Sequence, residues 1–355
     1  MRLRRPRGGR VASRLKRSIL VSLAMLLPLG VSVAGPVGTA SAAFNPNFGF
    51  DFWVDSDMGG IKSRIFRAAD GNTNRVVYAL DGMRARDDLN GWEIETDVAR
   101  ALTRANINVV MPVGGQSSFY ADWNAPSTFV GLDTGSDGGT GSAGSSAAGS
   151  SIAPTGVAGK RNTYRWETFL TRQLPDALSA RLGFSPHGNG VFGLSMGGSA
   201  ALTLAAYYPQ QFSFAGSFSG FLNNSAPGMR EALRVAMISA GGFNIDAMAP
   251  PWGPQWLRMD PFVFAPLLKD HNTRLWISSG SALPGPGDVT DALGIVQAVP
   301  LEALALINTR AFEVRMATLG AGNVHYDYPA TGVHNWKNWE DQVIRMIPDL
   351  SDHIG

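Results

Sequence analysis

Gly190-Val191-Phe192-Gly193-Leu194-Ser195-Met196-Gly197-Gly198-Ser199-Ala200-Ala201-Leu202 is the stretch on which the reading of this chain turns. A short apolar run ends in a serine flanked by glycines two residues to either side, and small residues that suit a helix follow. Strand, tight turn and helix are the context that G-x-S-x-G requires. The turn is strained, lifts the serine Oγ clear of a sheet, and brings strand and helix too close for side chains at the two glycine positions. The helix start beneath the serine adds partial positive charge, which favours a developing alkoxide or oxyanion. In a chain with 42 glycines the five-residue pattern alone could arise by chance. The flanking strand and helix make Ser195 the expected nucleophile.

The same alternation extends to both sides. Apolar runs at Arg75–Leu80, Ile107–Pro112, Gly190–Leu194, Phe212–Ser219, Arg274–Ser278, Phe312–Met316 and His325–Tyr328 read as strands. Trp92–Arg104, Trp166–Arg181, Met196–Tyr208, Leu301–Asn308 and Trp336–Met346 read as helices. Alternation of this kind predicts an α/β fold of the α/β-hydrolase type, a mostly parallel sheet with helices on both faces. In such sheets the reacting groups gather beyond the carboxyl ends of the strands.

The ends of the chain and its composition bound the rest. Eight basic residues between Arg2 and Arg17 precede an apolar run from Ile19 to Val33 and the small-residue stretch Ala40-Ser41-Ala42-Ala43. That order predicts a secretory signal peptide over residues 1–43, cleaved near Ala42 or Ala43. An uncleaved anchor is the alternative, but the run is short and broken by Pro28 and Gly30. The whole chain has 30 Lys+Arg against 28 Asp+Glu; without those eight it has 22 against 28, a net of −6. The mature chain is therefore mildly acidic, and no nucleic-acid partner is expected. There is no cysteine, which excludes a thiolate nucleophile, a cysteine-based metal site and disulfide support for an exported protein. No cofactor is expected, and no further apolar run is long enough to span a membrane. Residues 44–355 are expected to form one α/β domain, interrupted at 131–159 by a Gly/Ser-rich insertion with too little apolar area to order itself.

A serine hydroxyl is a weak nucleophile until an imidazole takes its proton, and on this fold the order is Ser, acid, His. His334 follows the last strand and precedes the last helix, where a loop histidine can reach the nucleophile. His325 falls within the strand pattern as a sheet-face residue, and His271 precedes a strand. For the acid, Asp288 follows the Arg274–Ser278 strand by one loop and Glu302 opens a later helix; spacing alone favours Asp288.

Several long segments resemble the antigen 85 family of secreted mycolyltransferases. They are Leu80-Asp81-Gly82-Met83-Arg84-Ala85-Arg86-Asp87-Asp88 with Asn90-Gly91-Trp92, the stretch from Met111 to Trp123, Trp166–Leu170, the elbow, Tyr208–Phe212, Asn272–Trp276 and Gly332-Val333-His334-Asn335-Trp336. The resemblance covers nearly all of the mature chain. It implies Glu302, not Asp288, as the acid, and the amides of Met83 and Met196 as oxyanion donors. It also implies Asp81, Arg84 and Trp336 as trehalose-binding residues, although Asp81-Gly82 read by itself is a turn. Asn223 stands where the family has Asp and Asn335 where it has Ser; both belong to the implied sugar site. Ser279 replaces a family cysteine, and two further family cysteines are missing. The implied activity is transfer of a mycolyl group from trehalose monomycolate to a second trehalose monomycolate or to arabinogalactan, outside the cell. Phe218, Phe221, Leu222 and Met229–Met248 are candidates for an acyl-chain lining, though core packing would explain them equally. A secreted carboxylesterase that uses water, and a non-catalytic binding protein on the same scaffold, are the alternatives.

Overall fold

Among the described residues, eight strands form one sheet in the order β1-β2-β4-β3-β5-β6-β7-β8. They are β1 (Phe50–Ser56), β2 (Gly59–Phe66), β3 (Val76–Leu80), β4 (Asn108–Pro112), β5 (Asn189–Leu194), β6 (Phe212–Phe218), β7 (Arg274–Ser278) and β8 (Val324–Asp327). The structure is a computed structural model that describes residues 44–126, 163–286, 288 and 292–355. The expected signal peptide and the Gly/Ser-rich insertion lie outside the described residues. Strand β2 pairs antiparallel with both β1 and β4, and every other pairing is parallel. This is the mostly parallel α/β-hydrolase sheet that the alternation predicts.

Every residue of β3, β4 and β5 is buried, as expected of parallel strands covered on both faces. Two apolar layers result. Val76, Tyr78 and Leu80 point into one, with the Met196–Tyr207 helix and the segment from Phe221 to Phe264. Val77 and Ala79 point into the other, with Trp92, Phe192, Phe218 and the Trp336–His353 helix. The period of two along β3 thus divides the core.

The chain leaves β3 for β4 on one side and returns to β5 on the other. The carboxyl ends of β3 and β5 therefore flank the switch point of the sheet, the crevice in which such folds bind ligands.

One expected strand is a helix. Phe312–Met316 lies within the helix Ala292–Thr318. Its five residues alternate apolar and polar and so satisfy the period of a strand. Phe312 and Met316 are also four apart, and in the helix these two are buried while Val314 is 64 % exposed. Five residues are too few to separate the two periods. Phe218 packs against Trp92 and Phe192, on the face opposite Phe221, so it leaves the proposed acyl lining. Leu222, Met237 and Met248 are core residues with no exposed surface.

Candidate active site

Ser195 lies where β5 turns into the Met196–Tyr207 helix, with φ 51° and ψ −120°. A non-glycine residue at positive φ is strained, and the neighbouring contacts hold it there. Its amide donates to the Phe218 carbonyl at 2.8 Å. A Cβ on Gly193 would collide with the Gly197 backbone. One on Gly197 would collide with the carbonyls of Leu80 and Asp81, and one on Gly198 would sit 2.6 Å from Ser217 Oγ. The motif glycines thus let β3, β5 and the helix meet at one point. Ser195 is 7 % exposed.

Successive strand ends supply what lies beside it. Beyond β6, Ser219 also has positive φ, at 50°, and its amide donates to the Ser278 carbonyl of β7 at 2.8 Å. The Ser219 hydroxyl donates to Glu302 Oε1 at 2.8 Å. Beyond β7, the Ser279 hydroxyl donates to the same oxygen at 3.0 Å and the Gly280 amide at 2.5 Å. The other carboxylate oxygen, Oε2, lies 2.9 Å from Nδ1 of His334, in the loop after β8. Glu302 has no exposed surface. A buried carboxylate is costly unless its lone pairs are occupied, and four donors occupy these. The His334 ring is fixed on two further sides, edge-on against Trp339 at 4.9 Å and parallel to Phe221 at 6.4 Å. Trp339 Nε1 donates to Ser219 Oγ at 2.9 Å, closing the circuit. Among the described residues, neither Ser195 Oγ nor His334 Nε2 has a hydrogen-bond partner.

Asp288, the acid that spacing favours, is engaged elsewhere. Its carboxylate accepts from the Gly285 amide at 2.6 Å, and its carbonyl accepts from Asn335 Nδ2 at 2.6 Å. His325 stacks on Trp276, its partner in register, at 4.0 Å, and His271 caps a helix end.

The turn after β3 faces the elbow. An added Cβ at Gly82 would lie 3.9 Å from the Cβ of Ser195. Met196 opens its helix, so its amide has no partner within that helix, and the Met83 amide has none among the described residues. Asp81 is 5 % exposed; Oδ1 accepts from the Gly82 amide and Oδ2 from the Gly91 amide, both at 2.7 Å. Burial pushes its carboxyl up to about 6, against the pull of those two amides, and Glu95 adds a smaller upward push. Trp336 covers Gly91, where a Cβ would strike both its ring and Asp81 Oδ2, and stands edge-on to Trp92 at 5.5 Å. Asp81 and Trp336 are thus brought together. Arg84 is exposed and lies 3.5 Å from Ser239 Oγ, too far to be held. Asn335 caps the last helix by accepting from the Asn338 amide at 2.9 Å. With its Nδ2 on Asp288, both ends of that side chain are occupied. Asn223 is half-buried in the loop after β6, with its carbonyl accepting from the Ala226 amide.

Sequence reasoning missed Ser219, Trp339 and Tyr120, whose hydroxyl accepts from the Asp81 amide at 3.0 Å. Ser219 had a signal, since it ends a strand beside the elbow. Among the described residues no group of His, Asp and Glu could hold a metal ion, and no helix is long and apolar enough to cross a membrane.

The esterase family profile matches residues 62–350. The Ag85B diacylglycerol acyltransferase/mycolyltransferase of Mycolicibacterium smegmatis is 36 % identical over 350 residues, covering 96 % of each chain. Ag85C of Mycobacterium avium is 36 % identical over 347 residues, 96 % of this chain and 88 % of its own. Among solved structures, Mycobacterium tuberculosis MPT51 (FbpC1) superposes with a TM-score of 0.68 at 31 % identity, covering 86 % of this chain and 99 % of its own. An S-formylglutathione hydrolase from Agrobacterium tumefaciens, 15 % identical with a TM-score of 0.57 over 89 % of this chain and 100 % of its own, shares the fold. The chain belongs to the esterase family and, within it, to the Ag85 diacylglycerol acyltransferase/mycolyltransferases.

Proposed function

We propose that this protein is an exported serine acyltransferase that moves a mycolyl group from trehalose monomycolate to a second trehalose monomycolate or to cell-wall arabinogalactan. The observation that carries the reading is the fully buried Glu302 carboxylate, held by three donors and bonded to His334 Nδ1 at 2.9 Å. A carboxylate in that position orients the imidazole and stabilises its protonated form. Membership among the mycolyltransferases supports the choice of acyl group, and the basic, apolar and small-residue opening of the chain supports export.

In this scheme His334 Nε2 takes the Ser195 proton as Oγ bonds to the ester carbonyl carbon, and the carbonyl electron pair moves onto its oxygen. The amides of Met83 and Met196 stabilise that oxyanion. Collapse breaks the bond to trehalose, whose oxygen receives the proton from His334, leaving the acyl group on Ser195. A hydroxyl of the second sugar then gives its proton to His334 and attacks the acyl carbon, and Ser195 Oγ leaves and is reprotonated. Transfer outruns hydrolysis where a bound hydroxyl is better placed than water. Asp81 and Trp336, met at Gly91, are the residues that would hold that sugar.

The test is turnover of the purified mature protein on trehalose monomycolate with the lipid products resolved. Trehalose dimycolate and free trehalose are expected. Free mycolic acid as the sole lipid product, with or without added trehalose, would make the protein a carboxylesterase.

A further inference from the structure

The loop Gly114–Tyr120 is strained along its length. Gly114, Gly115, Ser117, Phe119 and Tyr120 all have positive φ, the last three at 55°, 51° and 47°. Left-handed backbone is unfavourable for an ordinary residue, so the surroundings must fix this conformation, and such clusters gather at functional sites. Ser117, Ser118, Phe119 and Tyr120 are all at most 5 % exposed. The loop spans the crevice between β3 and β5 with three hydrogen bonds. The Ser117 amide donates to the Met83 carbonyl at 3.0 Å. The Tyr120 hydroxyl accepts from the Asp81 amide at 3.0 Å. The Phe119 amide donates to the thioether sulfur of Met196 at 3.2 Å. Two bonds hold the turn after β3, and the third holds the first residue of the helix behind Ser195.

We propose that this loop sets the distance between the Met83 and Met196 amides, with Tyr120, Ser117 and Phe119 as positioning residues and the Met196 side chain as the anchor on the elbow. The proposal rests on the reading of those two amides as the oxyanion donors. An N–H aimed at a developing charge stabilises it only within a few tenths of an ångström of its best position. The Met196 amide opens a helix, whereas the Met83 amide sits in the turn after β3 with no regular secondary structure until Gly91, so its position relative to Met196 must come from a brace. The loop hydrogen-bonds to both turns, and its burial holds its own conformation. Tyr120 is further fixed by Trp166, edge-on at 5.4 Å, and Trp123 Nε1 donates to the Ser118 carbonyl at 2.9 Å.

Tyr120→Phe removes one bond of the brace and keeps the ring; Met196→Leu removes another and keeps most of the volume. The mature proteins would be assayed for p-nitrophenyl butyrate hydrolysis, and the fraction of chains labelled to completion by a fluorophosphonate would be counted. Displaced donors lower kcat by about tenfold or more while KM stays within about twofold and every chain still labels. A structural role alone would lower kcat only in proportion to the labelled fraction, and that result overturns the proposal. So does an unchanged kcat in both variants. If the parent protein itself fails to label at Ser195, the underlying assignment of the nucleophile fails instead.

Discussion

Oε2 of Glu302 lies 2.9 Å from Nδ1 of His334, across 32 residues of chain. The carboxylate stands on a long helix and the imidazole on a loop, and the two meet because both elements close over the carboxyl ends of β6 and β7. The other carboxylate oxygen takes Ser219, Ser279 and Gly280, which directly follow those strands. The Glu302 carboxylate is therefore positioned from the strand ends and not only by its own helix.

Replacing that carboxylate by an amide keeps its size and removes its charge. Glu302→Gln should lower kcat for ester turnover by about three to four orders of magnitude, the scale seen when a triad acid loses its charge. Asp288→Asn should change it less than about threefold, since Asp288 holds its own turn. Steady-state kinetics on a chromogenic ester distinguishes them; equal losses would return the acid to Asp288.

The support beneath the acid can be tested separately. Ser219→Ala leaves Trp339 Nε1 and one Glu302 lone pair without their partner. It should reduce kcat by about tenfold, roughly the 1–3 kcal/mol of an unsatisfied buried group, with KM unchanged. A variant with parental kcat would show that two donors are enough to hold Glu302.

How much of this could be read from residues alone follows from the range of each signal. The elbow was legible because its glycines answer a local need, the close approach of β3, β5 and the helix at Gly193 and Gly197. His334 was legible because a loop between a last strand and a last helix has few places to go. The acid was not. Asp288 and Glu302 are both downstream of β7, and only the third dimension shows which one faces Nδ1. Periodicity failed at Phe312–Met316 because five alternating residues fit both periods. Strands β1 and β2 went unread although Phe52 and Val54 alternate with exposed neighbours. The stretch Arg75–Leu80 reads as a continuous apolar run, whereas β1 carries Asp51, Asp55 and an exposed Trp53. The brace at Gly114–Tyr120 has no composition signature beyond its glycine pair.

Asp81 gives the folded protein a pH dependence of known sign. Its folded carboxyl value of about 6 stands above the ordinary 3.8, so the protonated form is favoured by folding. Its stabilising contribution is complete below about pH 4 and disappears as pH rises through about 6, a change of at most about 3 kcal/mol. Urea unfolding at pH 4, 5, 6 and 7 should show the stability of the parent relative to Asp81→Asn falling across that window. A pH-independent difference would mean that Asp81 titrates as an ordinary exposed carboxylate.

Far from the site, Arg64 on β2 ties the start of the described chain to the sheet. Its guanidinium bonds both Glu93 oxygens, Asp51 and the Phe48 carbonyl, and the Arg64 and Glu93 side chains are nearly inaccessible. Arg64→Leu strands a buried carboxylate and should cost about 3–5 kcal/mol in urea unfolding. The double variant Arg64→Leu/Glu93→Leu should recover more than half of that, because the lone charge is then gone. Additive losses would indicate that the two side chains are not coupled and that no stranded charge is involved.

The most direct measurement is mass spectrometry of the peptide that carries residue 195 after a rapid acid quench of the protein with trehalose monomycolate. Nucleophilic attack by Ser195 predicts one mycolyl ester on that residue, lost with time when trehalose is supplied, and no adduct in Ser195→Ala. An acyl group on any other residue, or trehalose dimycolate formed by Ser195→Ala at the parental rate, would contradict it.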